Sequence, residues 1–273
     1  MSGPLVIYHG GCVDGFTAAW VFNKQLRQLG EKPEFFAAYY PPDGKPTELP
    51  DCTGRTVYMV DFCTSREQLL RIKEQAAAFM VLDHHKSARD ACAGLDFCVF
   101  DMEQSGAGLA WRFFRGASDP PWLVAYVEDR DLWRFALPDS KAVNAYVATH
   151  EFSFESWEDL QRGGANTALA RGGAVLQYIN QYVSKMAAQA IRQSFAGYDD
   201  IPVVNAPFPA ISEVVGKLAE DATFAVGWSL NADGKFHYSL RSRGGFDVSE
   251  VAKKFGGGGH AAAAGFTVSE RVS

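Results

Sequence analysis

The chain has 273 residues, 47% hydrophobic and 21% charged, a length that favours two domains and a composition that excludes a disordered chain. Its 26 basic residues are outnumbered by 32 acidic ones, for a net charge of −6, which argues against gripping long duplex nucleic acid through many phosphate contacts. Five scattered cysteines without a CxxC pair indicate neither a disulfide framework nor a zinc ribbon, and fit a reducing compartment. The N-terminus has no basic leader and its apolar run stops at His9 and Asp14. The expectation is a cytoplasmic protein with no membrane association.

Leu5 to Tyr8 is short, apolar and β-prone, and HGGCVDG separates it from a helix-like stretch, Phe16 to Leu29. This reads as strand, glycine-rich turn and helix. Glu34 to Tyr40 is a second candidate strand, before a Pro-rich loop, PPDGKPTELPD, that cannot continue regular structure. Val57 to Val60 reads as a buried strand ending at Asp61, with a helix from about Ser65 to Ala78. The apolar run Ala78 to Leu82 then ends at Asp83-His84-His85. Such alternation predicts an α/β fold, a mostly parallel sheet flanked by helices. Pro120 to Val127, open between helix and strand, leads into Glu128-Asp129-Arg130-Asp131. After a polar stretch from Phe152 to Asp159, a long helical run is expected from Ala168 to Phe195, able to bridge two domains. Beyond it come a strand, Ile201 to Asn205, a helix near Ile211 to Glu220, and two β-prone segments, Phe224 to Leu230 and Phe236 to Arg241, split by the turn Asn231-Ala232-Asp233-Gly234. A smaller α/β domain is expected there, with FGGGGHAAAAGF at 255–266.

Taken singly, these polar residues have bland readings. A histidine after a strand is usually a hydrogen-bonded structural residue, and an aspartate there is usually a helix cap. Together they carry more. His9 with Asp14, then Asp61, then Asp83 to His85, then the acids after Val127 recur at strand carboxyl ends, the edge where open α/β sheets bind ligands. Carboxylates with imidazoles suit manganese, iron or zinc. Packed acids without a cation raise one another's pKa, and this many candidate ligands fits a two-metal centre that activates water against a phosphoester.

The ordered set His9, Asp14-Gly15, Asp61, Asp83-His84-His85 and Asp129, followed by Gly257-Gly258-Gly259-His260, resembles the DHH phosphoesterase superfamily with its C-terminal DHH-associated domain. The resemblance spans nearly the whole chain. It implies a DHH metal-binding domain at 1–165, a helical linker at 166–198 and a substrate-binding domain at 199–273, with the active site between the domains. It also implies a phosphodiesterase using two divalent ions, typically manganese. Its substrates would be short oligonucleotides or small nucleotides, such as nanoRNA, linear dinucleotides or 3′-phosphorylated nucleotides. Carried over residue by residue, Asp61 would bridge the metals, His9 would serve one, and Asp14, His84 and Asp129 the other, with Asp131 competing for the place of Asp129. His85 would face the substrate phosphate and Asp83 would orient a neighbouring histidine. Gly257, Gly258, His260 and Arg241 would hold substrate, since glycines let amides approach an anion closely.

The family's first motif, His-x-Asp-x-Asp-Gly, becomes His9-Gly10-Gly11-Cys12-Val13-Asp14-Gly15, so Cys12 stands where the first aspartate is expected. Cys12 is either a thiolate ligand favouring zinc or ferrous iron, or a buried inert thiol beside a weakened site. The alternatives to the phosphodiesterase reading are an exopolyphosphatase or pyrophosphatase, and a catalytically impaired nucleotide-binding regulator. A homodimer is compatible with all three.

Overall fold

The computed structural model describes residues 3–40, 47–207 and 210–272. The chain divides into two compact units, the first ending at Leu176 and the second beginning at Gln177. Residues 41–46 of the expected Pro-rich loop lie outside the described residues. Among the described residues no helix is long and apolar enough to cross a membrane.

The first unit is built on five parallel strands: β1 (Leu5–His9), β2 (Glu34–Ala38), β3 (Thr56–Val60), β4 (Ala78–Asp83) and β5 (Cys98–Phe100), in the order β2-β1-β3-β4-β5. Successive residues of a strand point to opposite faces, and β1 uses both. Val6 joins a core with Trp20 and Phe22 of α1 (Val13–Gln28), Leu109 of α4 (Gly106–Arg115) and Leu123 of α5 (Trp122–Asp131). Leu5 and Ile7 join the opposite core with Leu69 and Ile72 of α2 (Arg66–Gln75) and Cys92 of α3 (Arg89–Cys92). Burying such side chains contributes about 1.5–3 kcal/mol each. The chain leaves β1 toward β2 on one side and later returns to β3 on the other, so the strand order reverses between β1 and β3. That switch point opens a crevice at the strands' carboxyl ends, where His9 and Asp61 stand.

The apolar segment after Pro120 is helix α5, and a further helix, α6 (Ser140–Val147), follows it. The long run begins earlier and stops sooner than its sequence pattern implies. Helix α7 spans Phe154–Ala187 and is interrupted at Gly164, whose φ is 78°. Its first part is tied to α1 by Trp157 Nε1, which donates to Thr17 Oγ1 at 3.0 Å, and by Trp20 Nε1, which donates to Glu158 Oε1 at 3.0 Å.

In the second unit, Ile191–Phe195 forms a strand, β6, and does not continue the helix. It pairs antiparallel with β7 (Tyr198–Asn205) across Ala196-Gly197, whose φ values are 54° and 86°. Two central residues at positive φ match the hairpin turn that suits strand twist, but an alanine there is a poor sequence signal. After α8 (Ile211–Leu218), the sheet continues with β8 (Ala225–Leu230) and β9 (Phe236–Arg241). Helix α9 (Val248–Lys253) then precedes β10 (Gly258–His260) and β11 (Ala263–Val268). The strand order is β10-β11-β9-β8-β7-β6, with only β7 and β8 parallel.

Candidate metal centre

Four loops of the first unit bring their polar residues together. β1 ends at His9, and Asp14 lies in the first turn of α1. Asp61 follows β3 with φ of 55°, a left-handed conformation uncommon for a non-glycine residue and most often tolerated by Asp, Asn or His. Its amide donates to Leu82 O at 2.9 Å. The helix that follows is capped by Ser65, which accepts from Gln68 N, so capping does not account for Asp61.

Asp61 is 1% exposed and divides its carboxylate. Oδ1 lies 3.0 Å from His84 Nε2, and Oδ2 lies 3.4 Å from His9 Nδ1. His84 Nε2 is also 3.7 Å from Asp14 Oδ2 and 3.6 Å from Asp131 Oδ2. Among the donor groups whose atoms lie within 4.8 Å of one another are His9, Cys12 and Asp61, then Asp14, His84 and Asp131, and also Asp61, Asp83, His84 and His85. Asp14 is anchored by the start of α4, where Gly106 N and Ala107 N donate to its two oxygens at 2.6 and 3.0 Å. An ideal Cβ on Gly15 would lie 2.4 Å from His9 O, which is why α1 can begin so close to β1.

Asp83 is fully buried and collects three donors on Oδ1: His84 N at 2.7 Å, His85 N at 3.2 Å and His85 Nδ1 at 2.7 Å. The 2.7 Å contact of Nδ1 ties the His85 ring to the Asp83 carboxylate.

At the fourth motif the structure corrects the preference. Asp129 and Asp131 are two residues apart on α5, about 200° around a helix, so only one can face the centre. Asp129 accepts from Ala136 N at 2.8 Å and Leu137 N at 3.4 Å, while its carbonyl accepts from Arg134 N and Phe135 N. It thereby holds a loop in which Trp133 and Phe135 have positive φ. Asp131 is the acid that joins Asp14 and His84.

Charge is unevenly distributed. Burial pushes Asp14 well above the usual carboxylate range and Asp131 above it, with the Asp61 charge adding to both. Burial acts on Asp61 in the same direction, but His84 and His9 overcome it and hold Asp61 well below that range. Burial opposes protonation of His84, yet Asp61 and the neighbouring acids push it up to about 10, and His9 is raised in the same manner. Burial drives the Cys12 thiol well up, reinforced by Asp61. Asp61 Oδ2, Asp131 Oδ2 and His9 Nδ1 are buried without a hydrogen-bond partner among the described residues. Buried acids that repel one another, orphaned acceptors and a mixed N, O and S donor set fit a divalent cation.

The remaining expected residues lie in the second unit. His260 is in register with Ala263, and Ala263 with Arg241, so His260 and Arg241 share one face in one row, about 10 Å apart across two strand spacings. Arg241 donates to Ser212 Oγ at 2.6 Å, Ser239 Oγ at 3.1 Å and Leu240 O at 2.8 Å. Gly258 opens β10 opposite Gly265. Gly257 departs from the expected anion-facing role, because its amide donates to Ala252 O at 3.0 Å and a Cβ would lie 2.1 Å from Gly265 O. Its lack of a side chain is explained by packing. Sequence reasoning missed the backbone of Gly106 and Ala107, although Ser105 ahead of an apolar helical run is a recognisable cap signal.

The DHHA1 domain model matches residues 203–272. Protein R106 of Acanthamoeba polyphaga mimivirus is 30% identical over 285 residues, covering 97% of this chain and 67% of the relative. Among solved structures, manganese-bound RecJ from Thermus thermophilus is similar over 98% of this chain, with TM-score 0.55 and 17% identity. The chain spans 50% of that RecJ chain. The pGpG-specific phosphodiesterase PggH from Vibrio cholerae is similar over 98% of this chain and 93% of its own, with TM-score 0.50 and 15% identity. The chain carries a DHHA1 domain over residues 203–272, and its fold is shared with RecJ and PggH.

Proposed function

We propose that this protein is a phosphodiesterase that hydrolyses short oligonucleotides or small nucleotides with two divalent cations. The observation that carries the reading is the shared carboxylate: Asp61 turns Oδ1 toward His84 and Oδ2 toward His9. In this reading Asp61 serves both cations, His9 and Cys12 complete one donor set, and Asp14, His84 and Asp131 form the other. When bound, the cations supply Lewis acidity toward a phosphoryl oxygen and make water a competent nucleophile near neutral pH. Asp83 keeps His85 aimed at the substrate phosphate, and Arg241 with His260 offsets further phosphate charge. The net charge of −6 favours a short substrate over a long duplex, and a pGpG-specific phosphodiesterase among the similar folds agrees with that size. Manganese at the Asp14, His84 and Asp131 set, a cytoplasmic location and substrate binding by residues 199–273 belong to the same reading.

The test is a panel of pApA, pGpG, pAp and tripolyphosphate with manganese. Mononucleotide release from the dinucleotides is the expected result. Phosphate release from tripolyphosphate alone would overturn the nucleotide assignment.

The two α5 acids give a paired prediction. Asp131→Asn should weaken manganese binding by calorimetry about 10-fold to 100-fold or more and leave thermal unfolding nearly unchanged. Asp129→Asn should retain metal stoichiometry but lose about 1–3 kcal/mol of stability, because buried or strained amides lose a charged acceptor. Equal metal loss in both variants would return Asp129 to the centre.

A further inference from the structure

Two donor groups around Asp61 differ in softness. One offers two carboxylates besides an imidazole, from Asp14, Asp131 and His84. The other offers a sulfur, from Cys12, with His9 and Asp61. Cys12 occupies the N-cap position of α1 with an extended backbone, φ −115° and ψ 135°. A capping role would favour Ser, Thr, Asp or Asn there, so it does not account for a cysteine. The Sγ, a ring nitrogen of His9 and an Asp61 oxygen lie within 4.8 Å of one another, a spacing that donors around one small ion can adopt after a slight contraction. Asp61 Oδ2, on a side chain 1% exposed, faces this group and makes no hydrogen bond among the described residues beyond its long ion-pair contact with His9 Nδ1 at 3.4 Å. A buried carboxylate oxygen held only by so long a contact is costly unless a cation meets it more closely.

We propose that the His9, Cys12 and Asp61 set is a thiolate-containing site selective for a borderline-soft divalent ion of the zinc class, so that the centre takes two chemically different cations. The inference rests on the paired-cation reading above and specifies what that reading leaves undivided. A thiolate binds softer metals in preference to manganese, whereas carboxylate-rich sets accept manganese readily. The thiol proton leaves to solvent as the ion binds, as it does at other thiolate ligands. The other thiols are elsewhere: Cys63 and Cys92 sit with their sulfurs 3.6 Å apart in the opposite core, with Cys52 buried in it and Cys98 packed against it.

Cobalt(II) reports thiolate ligation directly, through a sulfur-to-metal charge-transfer absorption in the near ultraviolet that oxygen and nitrogen ligands do not give. Titration of the full-length protein with cobalt is expected to produce this band, which Cys12→Ser abolishes and Cys92→Ser preserves. Any imidazole and carboxylate site prefers zinc to manganese to some degree, so the preference alone decides nothing. The expected result is that Cys12→Asp narrows the zinc-over-manganese affinity ratio by about 10-fold to 100-fold, the scale on which altered metal surroundings act. Two manganese equivalents are still bound in that variant. A native protein that binds two cations without the charge-transfer band, or with a band that survives Cys12→Ser, overturns the thiolate site and leaves the paired-cation reading standing. A native protein that binds no divalent cation overturns both.

Discussion

An Asp61→Asn protein is expected to fold, and to hydrolyse phosphodiesters about a thousandfold more slowly or worse, since Lewis-acid stabilisation is worth several kcal/mol and about 4 kcal/mol corresponds to that factor. Asparagine matches the aspartate in size and tolerates the left-handed backbone that Asp61 adopts at φ 55°, so the turn after β3 survives. What disappears is the charge that faces both donor groups. The carboxylate is held well below its ordinary range by His84 and His9 against the effect of burial. Its ionised form therefore stabilises the fold above the ordinary carboxylate pKa of about 3.9, and that contribution is lost as pH falls through the depressed folded value. The variant lacks this contribution at every pH. Its Asp14 and Asp131 are relieved of a like charge that pushes both upward, which offsets part of the loss. His84, raised to about 10 by Asp61 first among its charged neighbours, should return toward the usual imidazole range in the metal-free variant. Imidazole titration by NMR, calorimetry with manganese and rates on pApA measure the three consequences. A rate within tenfold of native would remove Asp61 from the shared position.

The strand ends announced themselves because the signal is local. Leu5 to Tyr8 and Val57 to Val60 are short apolar runs that stop at a polar residue, and the structure places both in the parallel sheet with His9 and Asp61 at its carboxyl edge. The phase of α5 was not legible in the same way. Asp129 and Asp131 are equivalent as letters, and what separates them is a loop five to eight residues beyond Asp129 whose amides converge on it. Strand β6 was hidden for a related reason. Its sequence, IRQSF, continues the polar pattern of the preceding helix, and its turn uses Ala196 at positive φ, where Asn or Gly would have advertised a hairpin. The amide cradle for Asp14 was invisible because backbone groups carry no letter.

Gly106→Ala is the substitution expected to damage the centre without touching any of its side chains. Alanine is the better helix former by roughly 0.5–1 kcal/mol, and in an unobstructed helical position the change stabilises. Gly173, inside α7 with nothing within 4 Å of an added Cβ, is such a position. At Gly106 the added atom would lie 2.4 Å from Asp61 Cβ and 2.7 Å from its Cγ and Oδ1, well inside the roughly 3.5–4.0 Å at which carbon atoms meet. The only relief is for α4 to withdraw or for Asp61 to turn. Withdrawal lengthens the bonds from Gly106 N and Ala107 N to Asp14, now 2.6 and 3.0 Å, and leaves a buried carboxylate without donors. Turning Asp61 separates its two oxygens from His84 and His9. Either route costs about 1–3 kcal/mol of stability as overpacking does, and either disperses donors on which both cation sets depend. Thermal unfolding and manganese calorimetry on Gly106→Ala and Gly173→Ala should therefore move in opposite directions for stability, with metal affinity lost only in the first. Unchanged metal affinity in Gly106→Ala would mean that the close approach of α4 to Asp61 does not position the centre.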